Sequence, residues 1–191
     1  MQYARQRLRE LSPRLTYHSL WHTWHDVLPA VDRLITLEYV SGEDALLLRT
    51  AAIYHDIGFV VQVADHEMIG AQIATYVLPR LGYTLQQIDR VYGMIMATRL
   101  PQSPKNLLEQ ILADADLDVL GRDDFWPRNK ALRAECAAMG KRISDTKWCA
   151  CQSEFLQSHR YFTASARALR NAQKQRNIAF LRGKLAKSKS C

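Results

Sequence analysis

A histidine and an aspartate stand next to each other inside an otherwise apolar segment, AAIYHDIGFV at residues 51–60. On a helix, His55 adjoins Leu48 and Ala52, and Asp56 has similarly apolar neighbours. Burying an ionisable group without a partner costs several kcal/mol. Any fold that buries this segment must therefore bring a compensating group to it from elsewhere in the chain.

Helix-stop signals divide the chain into segments of helical length. Gly58 and Gly82 end two of these segments, and no alternating run typical of a strand separates them. Pro29 lies inside the second segment, where a proline predicts a kink or a break. These patterns predict a single all-α domain over residues 1–183, followed by a disordered basic tail at 184–191. The expected helices cover approximately residues 2–11, 17–38, 42–57, 65–81, 85–99, 105–120, 127–139, 145–158 and 163–181.

The positive charge of the chain is concentrated at its C-terminal end. The net charge is +7, and residues 160–191 hold nine Lys or Arg and no Asp or Glu. Such a segment suits phosphates, RNA or an acidic partner, but nucleic-acid binding is not favoured because no RNA-binding motif is present. No apolar run approaches the roughly 20 residues that cross a bilayer, and the N-terminus has no signal-peptide core. The sequence therefore predicts a cytoplasmic protein with no membrane partner.

Three aspartates alternate with other residues in LADADLDVLG, residues 112–121. On a helix, Asp116 shares its face with apolar residues of the same segment. Asp114 and Asp118 fall on a more polar strip beside Arg122. The pattern predicts that Asp116 is buried and that the other two aspartates lie at the surface.

Histidines recur on one helical face in YHSLWHTWHDV, residues 17–27, at His18, His22 and His25. A shared cation would offset the cost of burying these groups together: one histidine of this segment, the His-Asp pair and the later aspartate. Mixed nitrogen and oxygen ligands suit divalent ions such as Mn²⁺, Fe²⁺, Co²⁺, Ni²⁺ or Zn²⁺, and Mg²⁺ stays in the set. A hydrogen-bonded network of His and Asp without a metal is the alternative.

The order His, His-Asp, Asp on an all-helical chain resembles the HD-domain superfamily of metal-dependent phosphohydrolases. Five segments come in the order of that family: YHSLWHTWHDV, LLLRTAAIYHDIGF, HEMIGAQIA, MIMATR and ILADADLDVLG. The resemblance covers about residues 15–125. It implies an HD-type helical bundle, to which residues 126–183 add a C-terminal helical extension.

The resemblance also implies a ligand set and a role for each ligand. His22, His55, Asp56 and Asp116 match the positions that hold a divalent metal ion in the family. Family members that bind two metals have a further adjacent histidine pair, which this sequence lacks, so one ion per chain is expected. Asp56 matches a position that contacts both metal and water, which makes it the expected proton acceptor.

Two further histidines are candidates for catalysis through the same resemblance. His18 matches the position that protonates the leaving oxygen in the related cyclic-nucleotide phosphodiesterases. His66, in DHEMIG, has three interpretations: a ligand to a second metal, a contact to substrate phosphate, or a surface residue at a helix N-terminus.

Phosphate oxygens of a substrate need cationic partners, for which the sequence offers two groups. Arg99 and Lys105 precede the helix that carries Asp116. Arg160 and Arg167 belong to a basic stripe in the C-terminal segment, which would contact phosphate only if that helix folds back over the site. A solvated helix face is the alternative for both groups.

The sequence therefore predicts a metal-dependent phosphohydrolase that cleaves a phosphate ester of a small molecule, in the first place a nucleotide. One alternative is a ligand-sensing or scaffolding module that retains the metal site without turnover. Another is an iron-dependent oxygenase, which the missing histidine pair disfavours.

Overall fold

The computed structural model describes residues 2–188, which form nine α-helices and no strand. The all-α prediction is confirmed. Short 3-10 segments follow three of the helices, at Ile57–Val60, Leu78–Leu81 and Asp118–Gly121, and a π-helix at His22–Val27 precedes another. The α-helices are α1 Gln2–Arg9, α2 Leu28–Leu37, α3 Gly42–Tyr54, α4 His66–Val77, α5 Leu85–Ala97, α6 Leu107–Asp116, α7 Phe125–Ala138, α8 Asp145–Ser158 and α9 Ala164–Ser188.

Helix α3 is the central element of the fold. Its second half, from Leu47 to Tyr54, is buried except at Arg49, and the helix packs against α2, α5 and α6. A helical segment that is apolar on nearly all its faces belongs in the interior of a bundle. Because α3 ends at Tyr54, the two residues that follow it emerge inside the core.

The helix that carries His22 is interrupted as its proline predicts. Residues His22–Val27 are π-helical, and Pro29 occupies the first turn of α2 directly after them. Proline has no N–H to donate to the carbonyl four residues earlier, so regular α-helical bonding cannot continue through this point. π-Helical turns are frequent at functional sites.

Close backbone approach fixes the position of α4 relative to the His-Asp segment. A Cβ atom on Gly58 would lie 1.9 Å from the carbonyl oxygen of His66, so only glycine fits there. Gly58 therefore brings the N-terminus of α4, with His66, against the segment that follows Asp56.

The C-terminal extension covers a face of α6 that the sequence pattern assigned to solvent. The predicted exposure of the three aspartates is wrong: Asp114 and Asp118 are buried. Asp116, which was predicted to be buried, is only partly so, with 18% of its side chain exposed. Asp114 accepts hydrogen bonds from the backbone N–H groups of Phe162 and Thr163, just before α9 begins. Asp118 is ion-paired with two arginines, one of them Arg170 of α9. The periodicity identified correctly which residues lie on a polar side. It could not show that the C-terminal extension packs on that side and supplies polar partners.

Helix α9 extends further than expected. It runs to Ser188, through the first five residues of the segment predicted to be a disordered tail. Leu181 is fully buried, and Leu185 packs against the same apolar cluster of the extension, so this last turn is held by packing. Residues 189–191 of the predicted tail lie outside the described residues. Between residues 2 and 188, no helix has both the length and the apolar character needed to cross a membrane.

Candidate metal centre

Three side chains from different parts of the chain meet in the interior of the bundle. Ligand atoms of His22, His55 and Asp116 all lie within 4.8 Å of one another, so this group could hold a metal ion. Nε2 of His22 and Nε2 of His55 are each 3.4 Å from Oδ1 of Asp116. The π-helix, the end of α3 and the end of α6 supply one residue each.

Asp56 completes the expected set of four. Its Oδ2 atom lies 3.3 Å from Nε2 of His55 and 3.8 Å from Nε2 of His22. Two buried atoms at this point, Nε2 of His55 and Oδ2 of Asp56, have no hydrogen-bond partner among the described residues. Buried polar atoms are rarely left unpaired, and these two are metal-ligand atom types aimed at one point. The donor set therefore fits a divalent cation.

Each imidazole is oriented through its other ring nitrogen. Nδ1 of His55 donates to the carbonyl oxygen of Ala52 at 2.7 Å, and Nδ1 of His22 lies 3.3 Å from Oδ2 of Asp26. When Nδ1 carries the proton, the Nε2 lone pair is left to face the cluster. Asp26 is itself held by two arginines, Arg122 at 2.7 Å and Arg128 at 2.6 Å.

The electrostatics of the cluster favour a bound cation. Burial would raise the pKa of Asp56, but the imidazole of His55 outweighs it and holds that pKa well below its usual range. Burial also opposes ionisation of Asp116, yet the neighbouring imidazoles of His22 and His55 keep its pKa low. The same carboxylates overcome burial and raise the pKa values of both histidines. The two ionised carboxylates thus stabilise the protonated form of the imidazoles. A metal ion that bound to the same nitrogens would displace those protons.

His18 and His66 stand at the edge of this cluster with one phenylalanine between them. Phe59 stacks on His66 with ring centroids 3.9 Å apart and on His18 with centroids 4.5 Å apart. Nε2 of His66 lies 3.6 Å from Oδ1 of Asp56, and Nδ1 of His18 lies 2.5 Å from a carboxylate oxygen of Glu135 in α7. Both histidines therefore flank the candidate metal centre.

The predicted stripe of three histidines does not form. The helix begins at Leu20, so His18 lies in the bend before it rather than on its face. His25 is exposed and lies beside Trp21, with the two rings tilted and their centroids 5.2 Å apart. A regular 3.6-residue period was assumed for a segment that is partly non-helical and partly π-helical, and this is why the prediction is wrong.

A cavity of about 280 Å³ opens from the cluster toward the C-terminal extension. Its inner end carries His18, Asp56, His66 and Asp116, and its outer wall is formed mainly by leucines and aromatic residues. The candidate metal centre thus adjoins a cavity of small-ligand size.

None of the four residues predicted to bind phosphate lies along this cavity. Arg99 is ion-paired with Asp65 at 2.6 Å on the surface. Lys105 is exposed. Arg160 lines a neighbouring cavity, and Arg167 turns back to the carbonyl oxygens before α9.

The basic residue that lines the cavity is Arg128, which the sequence analysis missed. It belongs to α7, beyond the segment that resembles a known family. A signal was available: a basic side chain in the first turn of a helix opposes the helix dipole and needs a compensating acid. Here the acid is Asp26, and the guanidinium also stacks over Trp21 at 4.4 Å from the ring centroid.

Comparison with known proteins gives one match. A family model, that of the HD domain, matches residues 23–118, about half of the chain. The matched segment includes His55, Asp56 and Asp116, and it begins one residue after His22. No curated protein and no solved structure matches the chain.

Proposed function

This chain belongs to the HD domain family, and from that premise we propose that it is a metal-dependent phosphohydrolase that cleaves a phosphate ester of a small molecule. The observation that supports the proposal is the convergence of His22, His55, Asp56 and Asp116, with two buried ligand atoms left unpartnered. In a protein interior, that arrangement costs stability unless a cation is bound.

The four residues would hold one divalent ion, drawn from Mn²⁺, Fe²⁺, Co²⁺, Ni²⁺, Zn²⁺ and Mg²⁺. Such an ion, when bound, neutralises phosphate charge and lowers the pKa of its bound water. Asp56 turns one oxygen toward the histidines and the other toward Nε2 of His66, 3.6 Å away. It is therefore placed to accept a proton from an attacking water beside His66.

His18 is the proposed general acid. Its Nδ1 is held by Glu135, which also accepts hydrogen bonds from the backbone N–H groups of Tyr17 and His18. With Nδ1 engaged in this way, the proton that His18 delivers to a leaving oxygen is the one on Nε2. Glu135 thus positions the ring at the edge of the cavity.

Arg128 takes the phosphate-binding role that the sequence assigned to Arg99, Lys105, Arg160 and Arg167, because it lines the cavity. The substrate class proposed is a nucleotide or a related small phosphate ester. This assignment follows the HD-domain resemblance and the size of the cavity.

The test is phosphate release from nucleotides and other phosphate esters by protein stripped of metal and reloaded with Mn²⁺. Wild type should release phosphate, and His22→Gln should lose activity. His25→Gln is the matched control, because His25 is an exposed histidine on the same helical segment. Equal activity of His22→Gln and wild type in folded protein would refute the proposal.

A ligand-sensing module that retains the metal site is the second candidate. One observation favours it: Arg128, the cation at the cavity, is already paired with Asp26. A substrate phosphate would have to share this guanidinium, which weakens charge neutralisation during turnover. Binding of one metal and one ligand per chain without phosphate release would support this candidate over the hydrolase.

A further inference from the structure

We propose that the cavity selects a monophosphate ester whose organic group is apolar or aromatic and carries a hydrogen-bond acceptor, and that the carboxamide of Gln152 recognises that acceptor. The inference rests on the proposed function, since it places the phosphate at the candidate metal centre. It adds a specificity-determining residue from α8, outside the segment that the HD domain matches.

The wall opposite the candidate metal centre is built from apolar side chains of the C-terminal extension and of the segment after α6. Polar hydroxyl-rich groups, such as a hexose, would lose water at such a wall without gaining hydrogen bonds, at a cost for each hydroxyl. An apolar or planar group would instead gain from burial. The wall residues are Leu117, Leu120, Phe125, Leu132 and Phe155.

The charge of the cavity limits the number of phosphates. Three carboxylates line it, those of Asp56, Glu67 and Asp116, whereas Arg128 is its single Lys or Arg among the described lining residues. One divalent ion and one shared guanidinium suit one phosphate group. A triphosphate would bring further negative charge into a space whose described lining has no further Lys or Arg, which disfavours it.

A fixed chain of hydrogen bonds determines what Gln152 offers to a ligand. The indole Nε1–H of Trp148 donates to Oδ1 of Asn129 at 2.7 Å, and Nδ2 of Asn129 donates to Oε1 of Gln152 at 2.5 Å. An indole N–H can only donate, so the oxygen of Asn129 must face it. The NH₂ of Asn129 then faces the oxygen of Gln152.

Gln152 therefore presents its NH₂ group, a donor, to the cavity that it lines. Among the described residues this NH₂ has no hydrogen-bond partner, while Asn129, which holds it, is only 4% exposed. A donor with a fixed orientation on an apolar wall recognises an acceptor, such as a ring nitrogen or a carbonyl oxygen. Nucleobases carry such acceptors, as do many other heteroaromatic groups.

Binding of non-hydrolysable phosphonates tests this inference without relying on turnover. The probes are benzylphosphonate and its three pyridylmethyl analogues, which differ only in replacing one ring C–H by an acceptor nitrogen. They are titrated calorimetrically into Mn²⁺-loaded protein at a pH where the pyridine is neutral. At least one pyridyl isomer should bind about threefold to tenfold more tightly than benzylphosphonate, as one net hydrogen bond implies.

In Gln152→Met, which keeps the length of the side chain and removes the donor, that affinity ratio should fall to about one. Gln152→Glu keeps an acceptor for Asn129 but removes the donor, so its affinity ratio should also be about one. This variant replaces Gln152→Met if the latter folds poorly. Gln157→Met, a matched change in the same helix and away from the cavity, should keep it. The inference is overturned if no pyridyl isomer is preferred by wild type, or if the preference survives in both Gln152 variants.

Phosphate release from the corresponding esters separates this inference from the proposed function. Benzyl phosphate should show a kcat/KM at least about tenfold higher than glucose 6-phosphate or ATP. Compared with glucose 6-phosphate, it buries an apolar group, and compared with ATP, it carries less negative charge. Discrimination among phosphonates without hydrolysis of any ester would refute the hydrolase and leave the recognition by Gln152 standing. Hydrolysis with equal kcat/KM for all three esters would support the hydrolase and refute the selectivity.

Discussion

Asp116 and Asp118 are two residues apart, yet their carboxylates have two different kinds of partner. Asp118 receives hydrogen bonds from Arg170 at 2.6 and 2.9 Å and from Arg33 at 3.0 Å. Asp116 instead faces two imidazole nitrogens at 3.4 Å. Arginine is a permanent cation that satisfies a carboxylate completely, whereas imidazole nitrogens offer lone pairs that a metal can use.

The contrast separates a structural region from a functional one. In the structural region, comprising Asp114, Asp118 and the start of α9, each carboxylate has donors from backbone or arginine. In the functional region, the atoms of His55 and Asp56 that face the cluster lack partners among the described residues. Burial of a charge therefore does not by itself mark a site, and the kind of partner is what distinguishes the two regions.

The largest expected effect is on the functional side of this comparison. Asp116→Asn should lower metal-dependent phosphate release at least about a hundredfold, because it removes a ligand charge while keeping the shape. Stability of the metal-free protein should fall little, since no arginine is left unpaired. Activity assays and urea unfolding measure the two quantities. A large loss of stability with normal activity would reverse the assignment of Asp116.

The same substitution two residues later should have the opposite profile. Asp118→Asn should cost about 2–4 kcal/mol of unfolding free energy, because it leaves Arg170 and the partly exposed Arg33 without their carboxylate. Urea denaturation of the metal-free protein measures this loss. Asp123→Asn, at an exposed position nearby, is the control and should change stability by no more than about 0.5 kcal/mol.

Asp26 combines the two kinds of partner, because it contacts His22 as well as Arg122 and Arg128. Asp26→Asn should weaken metal affinity about tenfold to a hundredfold, since the imidazole loses the carboxylate that orients it. Competition with a chelator measures this affinity. If metal affinity is unchanged while stability falls, Asp26 belongs to the structural region alone.

The smallest expected effect is on the pH dependence of stability, and it concerns His159 in the C-terminal extension. Burial, followed by the neighbouring Lys174, lowers the pKa of His159 to about 4. Below pH 6.5 the unfolded chain takes up a proton that the folded chain does not, so the free energy of unfolding decreases as pH falls toward 4. The loss should reach about 2 kcal/mol once the partial exposure of the ring is allowed for.

Replacing this histidine should remove that part of the pH dependence. His159→Gln keeps an acceptor for Lys174, whose Nζ lies 3.3 Å from Nδ1, and does not titrate. Unfolding measured between pH 7 and 4.5 should therefore show a shallower slope for His159→Gln than for wild type or for His25→Gln. Parallel slopes for all three proteins would contradict the assignment.

Much of the architecture followed from local pattern. The all-α fold and the family were both predicted correctly, since the helix-stop signals and the motif order are properties of consecutive residues. The convergence of His22, His55, Asp56 and Asp116 also agrees with expectation. His55, Asp56 and Asp116 each interrupt an apolar helical face in the sequence, whereas His22 was assigned through the family resemblance.

The sequence by itself determined the helical fold class and the membership of the family, and it predicted the residues of the candidate metal centre. Only the tertiary structure decided what covers each face: the residues just before α9 cover Asp114, α9 itself covers Asp118, and α7 brings Arg128 to the cavity in place of Arg99 or Lys105. The physical reason is range. Periodicity describes a helix relative to its own axis, whereas burial and partners depend on segments distant in the chain that pack against it.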